Sequence, residues 1–302
     1  MQFFNVMMAY AIPLVPRFLV QRISRRYIAG ADLTQAVARI RQLNAQGFPV
    51  TVDDLGELVI TPGHADAMVD EYEQVLQAID REQLQATISV KPSAVGLLLD
   101  AKACGERLEQ LLASAAAHAT SICLDMEDAS CTQAEIDLFG SLAQCHRNVH
   151  LAVQAYLRRT HRDMEFLLGL RATMRICKGI YVEQPDHLVD GALSNRTAIN
   201  PHFLAHVSRC FEAGTFVAVA THDAALIQEV VHLARRTKIS ATAFEFQMLL
   251  GVCEPLRDQL RTMGFTVRIY VPYGKDWYGY STRRIKENPQ IVGHLARALM
   301  GY

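Results

Sequence analysis

Near the C-terminal end of this 302-residue chain, Tyr280, Arg283, Arg284 and Glu287 fall within two helical turns of the stretch YGKDWYGYSTRRIKENP. Spacings of three, four and seven place them on one side of a helix. Two adjacent guanidinium groups suit a small carboxylate, which their planar forks can hold through paired N–H bonds. A solvated face with an i,i+4 ion pair is the other reading of an RRxxE run. The choice depends on what else the chain brings near them.

Side chains that do chemistry must be held by regular elements, and the chain supplies these in alternation. Residues 32–45 carry Leu33, Ala36, Val37, Ile40 and Leu43 on one helical face, with Gly47 placed to stop the helix. After it, short apolar or β-branched runs recur at 48–54, 86–92, 121–127, 149–156, 174–181, 215–223, 242–247 and 266–274. Helical patterns such as AALIQEVVHLARR (224–236) separate them. Strands alternating with helices imply a parallel sheet, and eight such units imply an α/β fold of the (βα)8 TIM-barrel type. A doubly wound sheet would be expected to open on a glycine-rich turn, and no GxGxxG occurs. The chain thus divides into an N-terminal helical arm over residues 1–46 and a barrel over 47–302.

Barrel chemistry sits at the C-terminal ends of the strands. Here those ends carry Asp53, Lys91, Asp125 with Glu127, Gln154, Lys178, His222, Glu245 with Gln247, and Tyr273. Turn chemistry accounts for some polar residues at such places. His222 alone could be a satisfied core histidine, and Lys178 a snorkelling side chain. Polar residues at all eight ends, with two lysines inside apolar runs, point instead to one functional mouth. A lysine at the end of ATISVK should face a charge partner or a ligand anion.

Composition narrows the function classes. Half of the residues are hydrophobic, which excludes a disordered chain. A formal net charge of −1 leaves no basic surplus to neutralise phosphates, so nucleic acid is not an expected partner. The seven cysteines (104, 123, 131, 145, 177, 210, 253) lack CxxC spacing and read as free thiols of a reducing compartment. The eleven histidines form neither HxH nor HExxH, so no zinc site is expected. No GxSxG elbow supports nucleophilic hydrolysis. The carboxylates of LDMED (124–128) would suit Mg2+ at a strand end, which keeps a metal-dependent lyase as one alternative. A barrel that only binds is another. Residues 3–20 are strongly apolar, but Asn5, Pro13, Pro16 and Arg17 spoil a spanning helix, and no basic segment precedes them as in a secretory signal. They are expected to pack on the barrel or to lie on a membrane surface.

Eight strings acquire meaning together: DDLGE (53–57), SVKPSAVGL (89–97), LDMED, QAYLRRT (154–160), RICKGIY (175–181), ATHD (220–223), FEFQMLLG (244–251) and the closing YGxxWxxYxxRRxxE. Their set and order resemble the successive motifs of the proline dehydrogenase family. The resemblance implies a (βα)8 barrel, FAD as cofactor, and oxidation of L-proline to Δ1-pyrroline-5-carboxylate, the first step of proline catabolism to glutamate. It further implies that Arg283 and Arg284 clamp the substrate carboxylate, that Lys91 shares it, and that Tyr280 packs on the pyrrolidine ring. Asp125 and Arg175 match catalytic positions beside substrate and flavin. Leu124, Gln154, Cys177, Lys178, Gly179, Thr221 and His222 match flavin-contacting positions. Glu57 and Glu287 match carboxylates that pair with the arginines and gate the site. Cys177 stands where a valine is usual and Ile180 where an alanine is usual. Cys177 is therefore expected to contribute only backbone contacts, and Ile180 to alter a wall of the flavin pocket. With no aldehyde dehydrogenase domain after the barrel, the chain resembles the stand-alone bacterial form.

The implied chemistry is hydride transfer from proline C5 to flavin N5. Fixing the carboxylate aims C5 at its acceptor, which is the main catalytic contribution. Clustered cations lower the pKa of the ring nitrogen, and Arg175 with Lys178 favours an anionic reduced flavin. A quinone would take the electrons at a membrane surface, and a pyrroline-5-carboxylate dehydrogenase would receive the product. The expected setting is cytoplasmic, with at most peripheral membrane contact.

Overall fold

The computed structural model describes residues 24–280 except 25, 57, 58, 276 and 279. The apolar run at 3–20 and the residues Glu57, Arg283, Arg284 and Glu287 lie outside the described residues.

The first complete helix, α1 (Leu33–Ala45), begins where Asp32 accepts the Gln35 N–H and buries Ala36, Val37, Ile40 and Leu43. Gly47, at φ +82°, turns the chain into the first strand, β1 (Val50–Asp54). Seven strand-linking helices follow in strict alternation: α2 (Pro62–Arg81), β2 (Ala86–Val90), α3 (Ala101–Ala117), β3 (Ile122–Leu124), α4 (Thr132–Cys145), β4 (Val149–Gln154) and α5 (Thr160–Gly169). Then come β5 (Met174–Cys177), α6 (Asn200–Ala213), β6 (Val217–Ala220), α7 (Ala224–Arg236), β7 (Phe244–Leu249), α8 (Glu254–Thr262) and β8 (Val267–Tyr273). The eight parallel strands close as β1-β2-β3-β4-β5-β6-β7-β8, with β8 pairing back onto β1. This is the (βα)8 barrel expected from the alternation of runs.

Strand boundaries differ from the apolar runs for local reasons. After β3 the chain leaves the sheet at once: the Asp125 N–H still reaches Val90 O, but the Glu127 N–H turns to the Glu135 carboxylate. After β5, Gly179 at φ +102° diverts the backbone. β7 runs on to Leu249, so Glu245 occupies its second position and not its C-terminal end. The expectation that Glu245 belongs to the mouth is corrected accordingly.

Alternate residues of a strand face opposite sides, and here the two sides differ sharply in chemistry. Val52, Ile88, Leu151, Ile176, Val219 and Phe246 belong to one continuous apolar cluster shared with the surrounding helices. Leu108, Leu111 and Phe203 of those helices are fully buried in it, each contributing roughly 1.5–3 kcal/mol by leaving water. The opposite parity is polar: Thr51, Thr87, His150, Arg175, Glu245 and Arg268 line a cavity of about 70 Å3 within the barrel. Barrel interiors are ordinarily filled by branched apolar side chains; this one holds charges. All seven cysteines are free thiols. Among the described residues, no helix is long and apolar enough to cross a membrane.

Candidate active site

The polar column surfaces at the C-terminal mouth, where Asp125 sits just beyond β3. Its Oδ1 accepts from Ser89 Oγ at 2.7 Å and from Arg175 Nη1; its Oδ2 accepts from the Tyr270 hydroxyl at 2.7 Å. Arg175 can cross the barrel because its register neighbours on β4 and β6 are Ala152 and Ala218, whose methyls leave room. Its guanidinium carbon lies 5.1 Å from the Tyr270 ring centroid. The Arg175 Nε donates to Gln247 Oε1 at 2.7 Å. Desolvation and the neighbouring carboxylates of Asp125 and Asp53 push the Tyr270 phenol pKa well above the ordinary value, so it remains a donor.

A second ion pair stands beside the first. Lys91, immediately after β2, puts Nζ 3.1 Å from Asp53 Oδ1. Burial raises the Asp53 pKa; Lys91 opposes that rise and Asp125 adds to it. At the other side of the mouth, Lys178 Nζ donates to Asp223 Oδ2 at 2.7 Å. Asp223 also caps α7, its Oδ1 accepting from the Ala225 and Leu226 N–H groups. Burial works to raise Asp223, but bonds from Lys178 and Asn200 outweigh it and bring the carboxyl to about 2.

The remaining sequence-derived positions border this mouth. Gln154 donates through Nε2 to Glu127 O at 2.6 Å, joining the ends of β4 and β3. Leu124 is fully buried as the last residue of β3. Cys177 points its thiol at Val153 O, 3.4 Å away, and burial raises that thiol to about 11. It is thus a neutral group with its backbone in the sheet. Gly179 packs against the Tyr156 ring, and its carbonyl accepts from Arg196 Nη2 at 2.7 Å. Thr221 Oγ1 accepts the Asp223 N–H. His222 Nε2 accepts the Leu249 N–H at 2.9 Å, which leaves Nδ1 to carry the ring proton. Ile180 is half-exposed. Tyr280 is buried in a small apolar cluster with Ile28, Leu55 and Trp277, next to the end of β1.

The carboxylates of LDMED do not converge. Asp125 serves Arg175, Ser89 and Tyr270; Glu127 accepts from Ser93 Oγ at 2.6 Å; Asp128 accepts from the Ser130 N–H. Glu127 does approach Cys131 and Glu135, one ligand atom from each lying within 4.8 Å of the others. Of the three LDMED carboxylates, Glu127 alone belongs to such a group among the described residues, so the Mg2+ reading keeps one of the ligands it needs.

Five participants were missed as site residues in the sequence: Ser89, Arg196, Asn200, Asp223 and Tyr270. Strand parity was the available signal for two of them. Ser89 shares the parity of Thr87 and Lys91, and Tyr270 that of Arg268.

With this geometry in view, likeness to known proteins becomes specific. The family described as proline dehydrogenase matches residues 36–297. The chain belongs to the proline dehydrogenase family. As a member of it, the chain is an enzyme. It is 33% identical over 267 residues to proline dehydrogenase 2 of Bacillus subtilis, covering 88% of this chain and 87% of that one. It is 30% identical over 285 residues to the proline dehydrogenase of Deinococcus radiodurans, covering 92% and 90%. Among solved structures, proline utilization A from Bdellovibrio bacteriovorus superposes with a TM-score of 0.83 at 20% identity. That match covers 89% of this chain and 33% of the larger protein, and it establishes the barrel alone.

Proposed function

We propose that this chain uses FAD to oxidise L-proline to Δ1-pyrroline-5-carboxylate and passes the electrons to a quinone. The observation that carries the reading is the Asp125–Arg175–Tyr270 cluster, a buried ionic group at the mouth of a barrel from this family. The donor set also fits the cofactor. Lys178 and Arg196 stand together beside Gly179, and Arg175 faces the same mouth, where a pyrophosphate and an electron-rich ring need cations. Asn200 Oδ1 is buried there without a hydrogen-bond partner among the described residues, as an acceptor awaiting a ligand hydroxyl would be. When bound, FAD supplies the two-electron acceptor that no side chain here can provide.

The protein residues would bind and orient. Lys91 is already balanced by Asp53, and Arg175 by Asp125. A substrate carboxylate therefore requires further cations, and Arg283 with Arg284 supplies them in this reading. Asp125 already accepts three hydrogen bonds, so its part is to hold Arg175 and Tyr270 in place. Proline loses a hydride from C5 and a proton from its ring nitrogen, leaving the C5=N bond of the product. Tyr280, with Ile28 and Leu55, would close the substrate end against water. A pyrroline-5-carboxylate dehydrogenase would take the product, and any membrane contact would be peripheral.

The deciding experiment is the visible spectrum of the purified chain with and without L-proline in the absence of oxygen. Yellow protein that bleaches on adding proline is expected. A colourless chain that also takes up no added FAD refutes the reading.

A further inference from the structure

We propose that Gln247 and Glu245, both on the inward parity of β7, form a directional relay that holds the Arg175 guanidinium up toward the mouth. This rests on the proline-oxidising reading, since Arg175 is the group the relay serves. The chain of contacts is continuous. Arg268 Nε and Gln247 Nε2 each donate to Glu245 Oε1 at 2.7 Å, and Arg175 Nε donates to Gln247 Oε1 at 2.7 Å. Gln247, Glu245 and Arg175 are all buried.

A glutamine amide could face either way, but here its neighbours fix it. Glu245 can only accept, so the Gln247 NH2 must face it and the carbonyl must face Arg175. Arg268 supplies the counter-charge that lets Glu245 stay buried. Arg175 then has Nε on Gln247 and Nη1 on Asp125 and Ser89. Nη2 is the guanidinium nitrogen without a hydrogen bond among the described residues, and it is not among the enclosed unpartnered atoms.

The relay matters because Arg175 has two carboxylates within reach of its side of the barrel. Asp125 lies at the mouth; Glu245 lies beneath, on the wall of the 70 Å3 cavity that Arg175 also lines. A neutral amide between Arg175 and Glu245 satisfies both without letting them pair directly. Without that spacer, the guanidinium gains an ion-pair partner below and space to descend into. Gln247 and Glu245 are positioning residues: they touch neither substrate nor cofactor and act through Arg175.

The test uses the flavin-loaded full chain. Wild type must first be reduced by L-proline; if it is not, the functional reading fails and the relay is not at issue. Gln247→Met keeps the length and bulk of the side chain but removes the acceptor. Per bound flavin, its reduction rate at saturating proline should fall at least about tenfold, with KM changed by less than about threefold, as expected for an interaction made only in the transition state. Its flavin midpoint potential should move negative, because a displaced cation no longer favours the reduced form. Glu245→Gln can donate as well as accept, so it no longer fixes the Gln247 amide and should lower the reduction rate in the same direction as Gln247→Met, by less. If Gln247→Met retains no flavin, Gln247→Asn decides, since it withdraws the amide by one methylene while keeping its polarity. Wild-type rate and potential per bound flavin in the deciding variant would overturn the relay, even with a lowered Tm.

Discussion

The hydroxyl of Tyr270 lies 2.7 Å from Asp125 Oδ2, while Arg175 holds Asp125 Oδ1 and stacks its guanidinium over the Tyr270 ring. The three side chains come from β8, the end of β3 and β5, so their meeting ties together strands far apart in sequence. Removing one member should strain the other two. Asp125→Ala leaves the buried Arg175 without its counter-charge, at a cost of about 3–5 kcal/mol. Tyr270→Phe removes one hydrogen bond to a charged acceptor, at a cost of about 1.5–3 kcal/mol. Denaturant melts of both variants should rank Asp125→Ala as the more damaging, and equal losses would contradict the assigned geometry.

Gly179 should not tolerate a side chain. Its φ is +102°, and a Cβ there would come within 2.3 Å of the buried Tyr156 ring. Overpacking of this kind costs about 1–3 kcal/mol, and the left-handed backbone adds about 1–2 kcal/mol for an L residue. Gly179→Ala should lower the Tm and displace the following loop, and with it the carbonyl that Arg196 holds. Flavin uptake by the folded fraction is the measurement, and unchanged affinity would remove Gly179 from the cofactor wall.

Lys178 and Asp223 predict a specific acid response. The folded Asp223 carboxyl sits at about 2, below the ordinary carboxylate value. Its contribution is therefore present above the ordinary value and lost as pH falls through about 2. Lys178→Met removes the cation but leaves the α7 cap on Oδ1. Stability at pH 7 should fall, and the difference from wild type should shrink as pH drops toward about 2, where the carboxyl is protonated in both proteins. A stability curve that does not move would mean Asn200 and the helix N–H groups alone keep the carboxyl low.

Glu135 gives the opposite sign. Burial raises its pKa to about 8; the Glu127 N–H opposes this, and the neighbouring acidic groups add to it. The folded state therefore holds a proton that the unfolded state has lost, and stability falls as pH rises toward about 8. Oε1 accepts the Glu127 N–H, while Oε2 is buried without a partner among the described residues. Glu135→Gln keeps an acceptor for that N–H and never charges. It should raise the Tm by several degrees above pH 8, an effect on the order of a few kcal/mol, and leave it nearly unchanged near pH 4. Equal Tm differences at both pH values would show that folding does not raise the pKa of this carboxyl.

Much of this protein was legible in the linear chain because the relevant signals are local. A strand announces itself by its own β-branched run, and α1 by Leu33, Ala36, Val37, Ile40 and Leu43 recurring on one face. Eight alternations suffice for a closed parallel barrel, and the barrel itself says that Lys91, Asp125 and Lys178 share a mouth. The family motifs were legible for the same reason, being short strings in a fixed order. What the linear chain left open was partnership. Lys91 was expected to face an anion and Lys178 to belong to the mouth, but only closure of the sheet chose Asp53 for one and Asp223 for the other. Glu245 reads as a strand end because its apolar run stops two residues before β7 does; register places it inside the barrel, below Gln247 and Arg175. Tyr270 was one aromatic in an apolar run until β8 paired with β1 and turned its hydroxyl toward Asp125, 145 positions away. Such pairings are decided by which inward-facing side chains a closed ring of strands brings to the same height, a relation absent from any local stretch of sequence.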